Sequence, residues 1–295
     1  MTIHEAQQKL LFQLYHIYDN AEAAAIVNLV MENITDWKKV DRILNKNVPL
    51  SNPQLELFEK YSAALMMHEP VQYVLHEAWF CGMKFYVDEN VLIPRPETEE
   101  LVDWIVQELS SEQRGMGNNK QDPPLIMLDI GTGSGSVPIA LKKKLDHAII
   151  YSCDISKNAL QVAKQNASSN AADVHFIDLD FLNKEDRSQL PSCHIIVSNP
   201  PYIPLLEKNS LAEHVKNFEP HTALFVNDND PLVFYKAIAD FAAEKLLLPG
   251  RIYVETHEEL AGNVKKLFLQ KGFDEVTIKK DIYGKDRMLK ATMLL

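Results

Sequence analysis

Two short segments carry residue types able to do chemistry, Asn199-Pro-Pro-Tyr202 and Gly131-Thr-Gly-Ser-Gly135. An amide or amino nitrogen on a planar group is a weak nucleophile because its lone pair is delocalised. A site that alkylates such a nitrogen therefore works mostly by position. Asn199 offers a side-chain oxygen to accept one N–H, and the main-chain carbonyl near Pro200 can accept the other. Pro200 and Pro201 stiffen the corner and remove competing backbone donors, while Tyr202 offers a planar face for stacking. By itself an Asn-Pro-Pro run is also an ordinary way to end a strand. It follows an apolar run, 194–198, downstream of the glycine segment, and this order favours the chemical reading.

The glycine segment follows another apolar run, 125–130, and a helix is expected from about Val137. Glycines allow positive φ and remove side chains that would block a ligand, and a helix start presents free N–H groups. Asp154 ends the next apolar run, nineteen positions after Gly135, where a carboxylate can reach a ribose hydroxyl pair. The spacing is Gly-x-Gly-x-Gly, Ser136 stands where a dinucleotide fingerprint needs its third glycine, and no Gly-Lys-Ser/Thr follows. S-adenosylmethionine is favoured over a nicotinamide dinucleotide or a nucleoside triphosphate. Asp129 stands where its carboxylate can attract the cationic end of that cofactor or brace the turn.

These segments need a scaffold. Apolar runs at 125–130, 149–153, 174–177, 194–198, 251–255, 276–280 and 288–293 alternate with helical stretches, a rhythm that predicts an α/β fold with a parallel sheet covered on both faces. The last two runs are expected to pair as an antiparallel edge. Upstream, apolar spacings of three and four at Leu10, Leu11, Leu14, Ile17 and Tyr18, with further helical stretches at 21–31, 37–44 and 55–67, predict a small helical bundle. The expected division is a helical domain over 1–70, a β-hairpin connector over 71–93, and a catalytic domain over 94–295. Within the last, 97–109 reads as an amphipathic helix and 110–124 as a surface loop.

Composition excludes several classes. The net charge is −11 and no Lys/Arg run suggests a concentrated positive surface, so binding to nucleic acid through phosphates has little support. No stretch resembles a membrane span or a secretory leader, and a cytoplasmic protein is expected. Cys81, Cys153 and Cys193 form no CxxC pair, and the ten histidines show no ligand spacing, so neither a disulfide framework nor a metal is expected.

Asp129-Ile-Gly-Thr-Gly-Ser-Gly135 and Ile196-Val-Ser-Asn-Pro-Pro-Tyr-Ile203 resemble the cofactor and target motifs of the HemK/PrmC family of release factor glutamine methyltransferases. The resemblance runs over roughly residues 70–290. It includes Pro70-Val-Gln-Tyr73, the stretch from Val91 through Ile93-Pro-Arg-Pro-Glu-Thr-Glu99 to Val102, Glu219-Pro220, Ala223-Leu224 and Gly284-Lys-Asp-Arg287. It implies a Rossmann-like class I methyltransferase sheet of seven strands. It also implies methyl transfer from S-adenosylmethionine, leaving S-adenosylhomocysteine, to the glutamine of the Gly-Gly-Gln loop in peptide chain release factors. By the resemblance, Asp129, Ile130, Gly131, Thr132 and Gly133 hold the methionine and ribose end, Asp154 the ribose and Phe181 the adenine. Asn199, Pro200, Pro201 and Tyr202 hold the glutamine, with Asn199 also beside the cofactor and Asn199, Pro200 and Tyr202 as the catalytic set. The helical domain is expected to grip the protein substrate, and a monomer is expected.

The sequence departs from the family where Glu255-Thr256-His257 replaces a usual Glu-Ile-Gly, and in His76, Trp79 and Cys81. Arg95 reads either as a substrate contact or as a partner for Glu97 or Glu99. The alternative substrates are a ribosomal-protein glutamine and adenine in nucleic acid. A nicotinamide oxidoreductase would leave Asn199–Tyr202 unexplained, and a non-enzymatic adaptor would leave the target corner without a role.

Overall fold

The computed structural model describes residues 1–115 and 124–294, and among these two compact units are distinct. One comprises Met1–Glu77 with Ala212–Phe218, and the second holds the remaining described residues.

The first unit is helical: α1 (Ile3–Leu14), α2 (Asn20–Thr35), α3 (Lys39–Leu44), α4 (Asn52–Met66) and α5 (Val71–Leu75). Its start is set by a capping box, in which Thr2 Oγ1 accepts from the Glu5 N–H (3.2 Å) and Glu5 accepts from the Thr2 N–H (2.8 Å). Asp19 caps α2 through the N–H groups of Ala21 and Glu22. Leu10 and Leu14 pack with Ile26, Val30, Phe58 and Leu65 in one core, as the spacing of apolar residues requires.

The second unit begins with a hairpin of β1 (Ala78–Phe80) and β2 (Met83–Phe85), narrower than the expected 71–93 because Val71–Leu75 coils as α5 instead. Pro70 stands at its N-cap, where a missing N–H costs nothing. Then α6 (Pro96–Gly115) runs past the expected helix end at 109. Two observations account for the extension: Ser111 Oγ donates to the Glu108 carbonyl, and Glu112 takes both guanidinium arms of Arg251, at 3.1 and 2.5 Å. The loop expected over 110–124 is thus helix up to Gly115, and 116–123 lies outside the described residues.

Alternation follows: β3 (Ile126–Ile130), α7 (Ser136–Lys144), β4 (Ile149–Asp154), α8 (Lys157–Ser169), β5 (His175–Asp178), α9 (Lys184–Arg187), β6 (Cys193–Ser198) and β7 (Ile203–Pro204). After α10 (Glu213–Phe218), which belongs to the first unit, come α11 (His221–Leu224), β8 (Phe225–Val226), α12 (Val233–Lys245), β9 (Leu246–Glu255), α13 (Ala261–Gln270), β10 (Glu275–Lys280) and β11 (Asp286–Met293). The main sheet has seven strands in the order β10-β11-β9-β6-β3-β4-β5. Seven strands is the number that the family resemblance implies. The two last strands do pair antiparallel, but only β11 is reversed: it sits between β9 and β10 and is antiparallel to both.

Successive side chains on a strand point to opposite faces, and both faces here are buried. Leu128, Ile196 and Ile252 pack with Tyr235, Ile238 and Phe241 of α12 and with Val264 and Phe268 of α13. Their neighbours Met127, Val197 and Tyr253 pack on the other face with Leu101 and Ile105 of α6 and Ile139 of α7. This explains why these strands carry apolar residues at successive positions, as in Met127-Leu128, Ile196-Val197 and Ile252-Tyr253, rather than alternating.

Candidate active site at the carboxyl rim of the sheet

From β3 the chain builds β4 and β5 on one side and then returns to place β6 on the other, so the order reverses between β3 and β6. Ligands in open α/β sheets collect at such a point, outside the carboxyl ends of the strands. Ile130 and Ser198 are partners in the β3–β6 ladder, and Ser198 Oγ donates to the Ile130 carbonyl (2.7 Å). The glycine segment and the Asn-Pro-Pro corner therefore leave the sheet side by side.

A cavity of about 610 Å³ opens there, and its walls include Ile130, Gly131, Thr132, Gly133, Asp154, Phe181, Asn199, Pro200 and Pro201. Gly131 (φ 79°) and Gly133 (φ 52°) adopt the left-handed region, and a Cβ at either would meet no atom within 4 Å. Those two glycines leave a cradle open in the cavity wall. Gly135 (φ 81°) serves packing instead, since a Cβ there would lie 3.0 Å from Ile139 and 3.1 Å from Ala163. Gly135→Ala is thus expected to destabilise the fold by about 1–3 kcal/mol. Gly133→Ala shares the strain of a positive φ but meets no packed atom, so its stability loss is expected to be the smaller one and its main effect is to narrow the cavity. Chemical denaturation and ligand titration of both variants check this split; equal stability losses would contradict it.

Asp154 closes β4 with both carboxylate oxygens engaged, Oδ2 by the Gly133 N–H (2.9 Å) and Oδ1 by the Ser156 N–H (2.8 Å). Burial pushes its carboxyl up, and these backbone donors oppose the rise. Phe181 faces the cavity while its ring packs edge-on against Phe241, with centroids 5.6 Å apart, so it is wall and core at once.

Asp129 stands behind the wall. It is 1% exposed, accepts the Ser152 hydroxyl at 2.7 Å, and has its carboxyl pushed up to about 7 by burial, against the pull of that hydrogen bond. Tyr202 is likewise not among the residues lining the cavity; its hydroxyl donates to Glu255 Oε1 at 2.8 Å.

Sequence reasoning missed the residues that hold the corner. Glu255, at the end of β9 and 1% exposed, accepts the Tyr202 hydroxyl on one oxygen and the Thr98 hydroxyl on the other, at 2.6 Å. Asn199 Nδ2 in turn donates to Thr98 Oγ1 (3.1 Å). Burial raises the Glu255 carboxyl, while the Thr98 and Tyr202 donors and the nearby Arg287 charge oppose the shift. The departure residue His257 sets Nε2 3.3 Å from Glu207 Oε2. Arg95 pairs with neither Glu97 nor Glu99 but with buried Glu219, at 2.5 Å, and Glu219 also accepts the Ile93 N–H (3.2 Å). That ion pair joins the Ile93–Arg95 stretch to the Glu219-Pro220 turn, and both segments reach the cavity wall.

Comparison with known proteins gives this arrangement a family. The model of the PrmC N-terminal domain matches residues 5–75 and that of the Methyltransferase small domain matches 119–217. A release factor glutamine methyltransferase of Flavobacterium psychrophilum is 41% identical over 98% of this chain and 99% of its own length. The chain belongs to the release factor glutamine methyltransferase family. A second member, from Bacteroides thetaiotaomicron, is 38% identical over 94% of this chain and 95% of its own. Among solved structures, a methyltransferase from Pyrococcus furiosus shares the fold at 15% identity, covering 83% of this chain and all of that one with a TM-score of 0.51. The chain is a methyltransferase, and no helix among its described residues is long and apolar enough to cross a membrane.

Proposed function

We propose that this family member methylates the side-chain amide nitrogen of the glutamine in the Gly-Gly-Gln loop of peptide chain release factors, with S-adenosylmethionine as donor. The observation that carries the reading is the junction of a glycine cradle and an Asn-Pro-Pro corner at one switch point, on one cavity.

The residues present fit the donor. Gly131 and Gly133 leave space where any side chain would intrude, and Thr132 lies between them. Asp154 is placed for a hydroxyl pair, and the Phe181 ring offers an apolar face for a planar base. Asp129 acts from behind the wall, its charge favouring a cationic group in front of it. When bound, S-adenosylmethionine supplies an electrophilic methyl group on a positively charged sulfur.

The rest of the work falls to the corner. Asn199 Oδ1 and the carbonyl near Pro200 accept the two N–H groups of the glutamine amide, which turns the face of its nitrogen toward the cradle. Pro200 and Pro201 keep that geometry stiff and present no N–H of their own. Tyr202 anchors the corner through Glu255 rather than stacking within the cavity. The helical unit, Met1–Glu77 with Ala212–Phe218, grips the protein that carries the loop; a small-molecule methyltransferase has no use for it.

The test is transfer of labelled methyl to a purified release factor, with a Gln→Ala loop variant alongside. Label on the native loop alone is expected. No label on either protein, with the donor still bound, would redirect the assignment to a ribosomal protein or a nucleic acid.

A further inference from the structure

We propose that Thr98 and Glu255 are positioning residues that fix which way round the Asn199 side-chain amide is held. The inference rests on the reading that Asn199 receives the target nitrogen.

An amide side chain has two prongs of similar size, an acceptor and a donor, and only the acceptor can take an N–H from the substrate. Something must therefore choose between two orientations related by a half-turn. Thr98 Oγ1 lies 2.6 Å from Glu255 Oε2 and 3.1 Å from the Asn199 amide, and Thr98 and Glu255 are 4% and 1% exposed. A hydroxyl has one proton. A buried carboxylate is the stronger acceptor, so the Thr98 proton is committed to Glu255. The lone pairs that remain on Thr98 Oγ1 can only accept, which requires Asn199 to present Nδ2 to it and leaves Oδ1 as the other prong. The reverse orientation would set two oxygens against each other with no proton between them.

Tyr202 completes the device. By donating to Glu255 Oε1 at 2.8 Å it occupies the second carboxylate oxygen, and the Arg287 guanidinium lies 5.9 Å from the Tyr202 ring. Glu255 thus holds two segments of the site at once, the Thr98 turn of α6 directly and the Asn199–Tyr202 corner at both ends.

Thr98→Val keeps the shape of the side chain and removes the hydroxyl, while Thr98→Ser keeps the hydroxyl. In methyl transfer to a release factor by the full-length chain, T98V is expected to lower kcat about 10- to 100-fold with little change in KM for the release factor or in donor affinity. T98S is expected to recover most of the loss. A packing role alone would show the opposite order, since valine fills the site better than serine. Equal kcat in T98V and wild type would overturn the relay. Glu255→Leu, which keeps most of the bulk and offers Thr98 no acceptor, reads it from the other end, and its retention of wild-type kcat would overturn the relay equally, even if T98V fails to fold. Wild-type protein that binds the donor yet leaves the native loop unlabelled would instead overturn the substrate reading, and this outcome is separable from both.

Discussion

Asn199→Ala is expected to lower methyl transfer to the release factor loop on the order of 100- to 1,000-fold while leaving donor binding nearly intact. Position supplies most of the rate for a nucleophile as weak as an amide nitrogen, and Asn199 is the side chain proposed to set that position. The donor has other holds: the cradle of Gly131 and Gly133, Asp154 and Phe181 line the cavity independently of Asn199. The alanine also leaves Thr98 with an unused lone pair, a small cost because its proton still goes to Glu255. Single-turnover transfer and calorimetric titration of the donor check the two halves. Donor affinity lost with turnover preserved would place Asn199 in cofactor binding instead.

Asp129→Asn is expected to make the protein more stable at pH 8. The Asp129 carboxyl is held at about 7 by burial, well above the ordinary range of an aspartate. Between roughly pH 4 and pH 7 the folded chain therefore keeps a proton that the unfolded chain has already released, and stability falls as pH rises through that window. Above it both states are ionised and the full cost stands, on the order of 4 kcal/mol. Asparagine can still accept from Ser152 and carries no charge, so the variant should gain most of that amount at pH 8 and almost none near pH 4. Urea unfolding of both proteins across this range checks it, with the difference between them cancelling every other titration. A difference independent of pH would show that Asp129 carries no such cost. A charge kept in the fold at this expense points to a use for it, and the position behind the glycine cradle fits attraction of a cation.

The parts of the site that were legible in the sequence are those written locally. Gly131–Gly135 and Asn199–Tyr202 are contiguous runs whose backbone and side-chain properties need no knowledge of neighbours. The seven strands were visible for the same reason, as apolar runs between helical stretches. Strand order was not: nothing in Asp286–Met293 says that it enters between β9 and β10. The Val71–Leu75 helix was obscured because a short run rich in valine and tyrosine carries no usable period. Glu255 did leave a signal, since a carboxylate ending the apolar run Ile252-Tyr-Val-Glu255 must either be exposed or find donors. Which donors could not be read, because Thr98 is 157 residues away. Arg95 shows the same limit: its neighbours Glu97 and Glu99 were the obvious partners, and the actual one lies 124 residues on.

Those separations bear on how the protein comes into being. The bonds that organise the rim join residues 101, 124 and 157 positions apart, and the longest of them ends on β9. Contacts of such range form late, after the entropy of closing long loops has been overcome. A nascent chain that has emitted the glycine cradle and even the Asn-Pro-Pro corner still lacks β9, and with it the carboxylate on which the corner hangs. Competence to transfer a methyl group thus waits on the synthesis of β9.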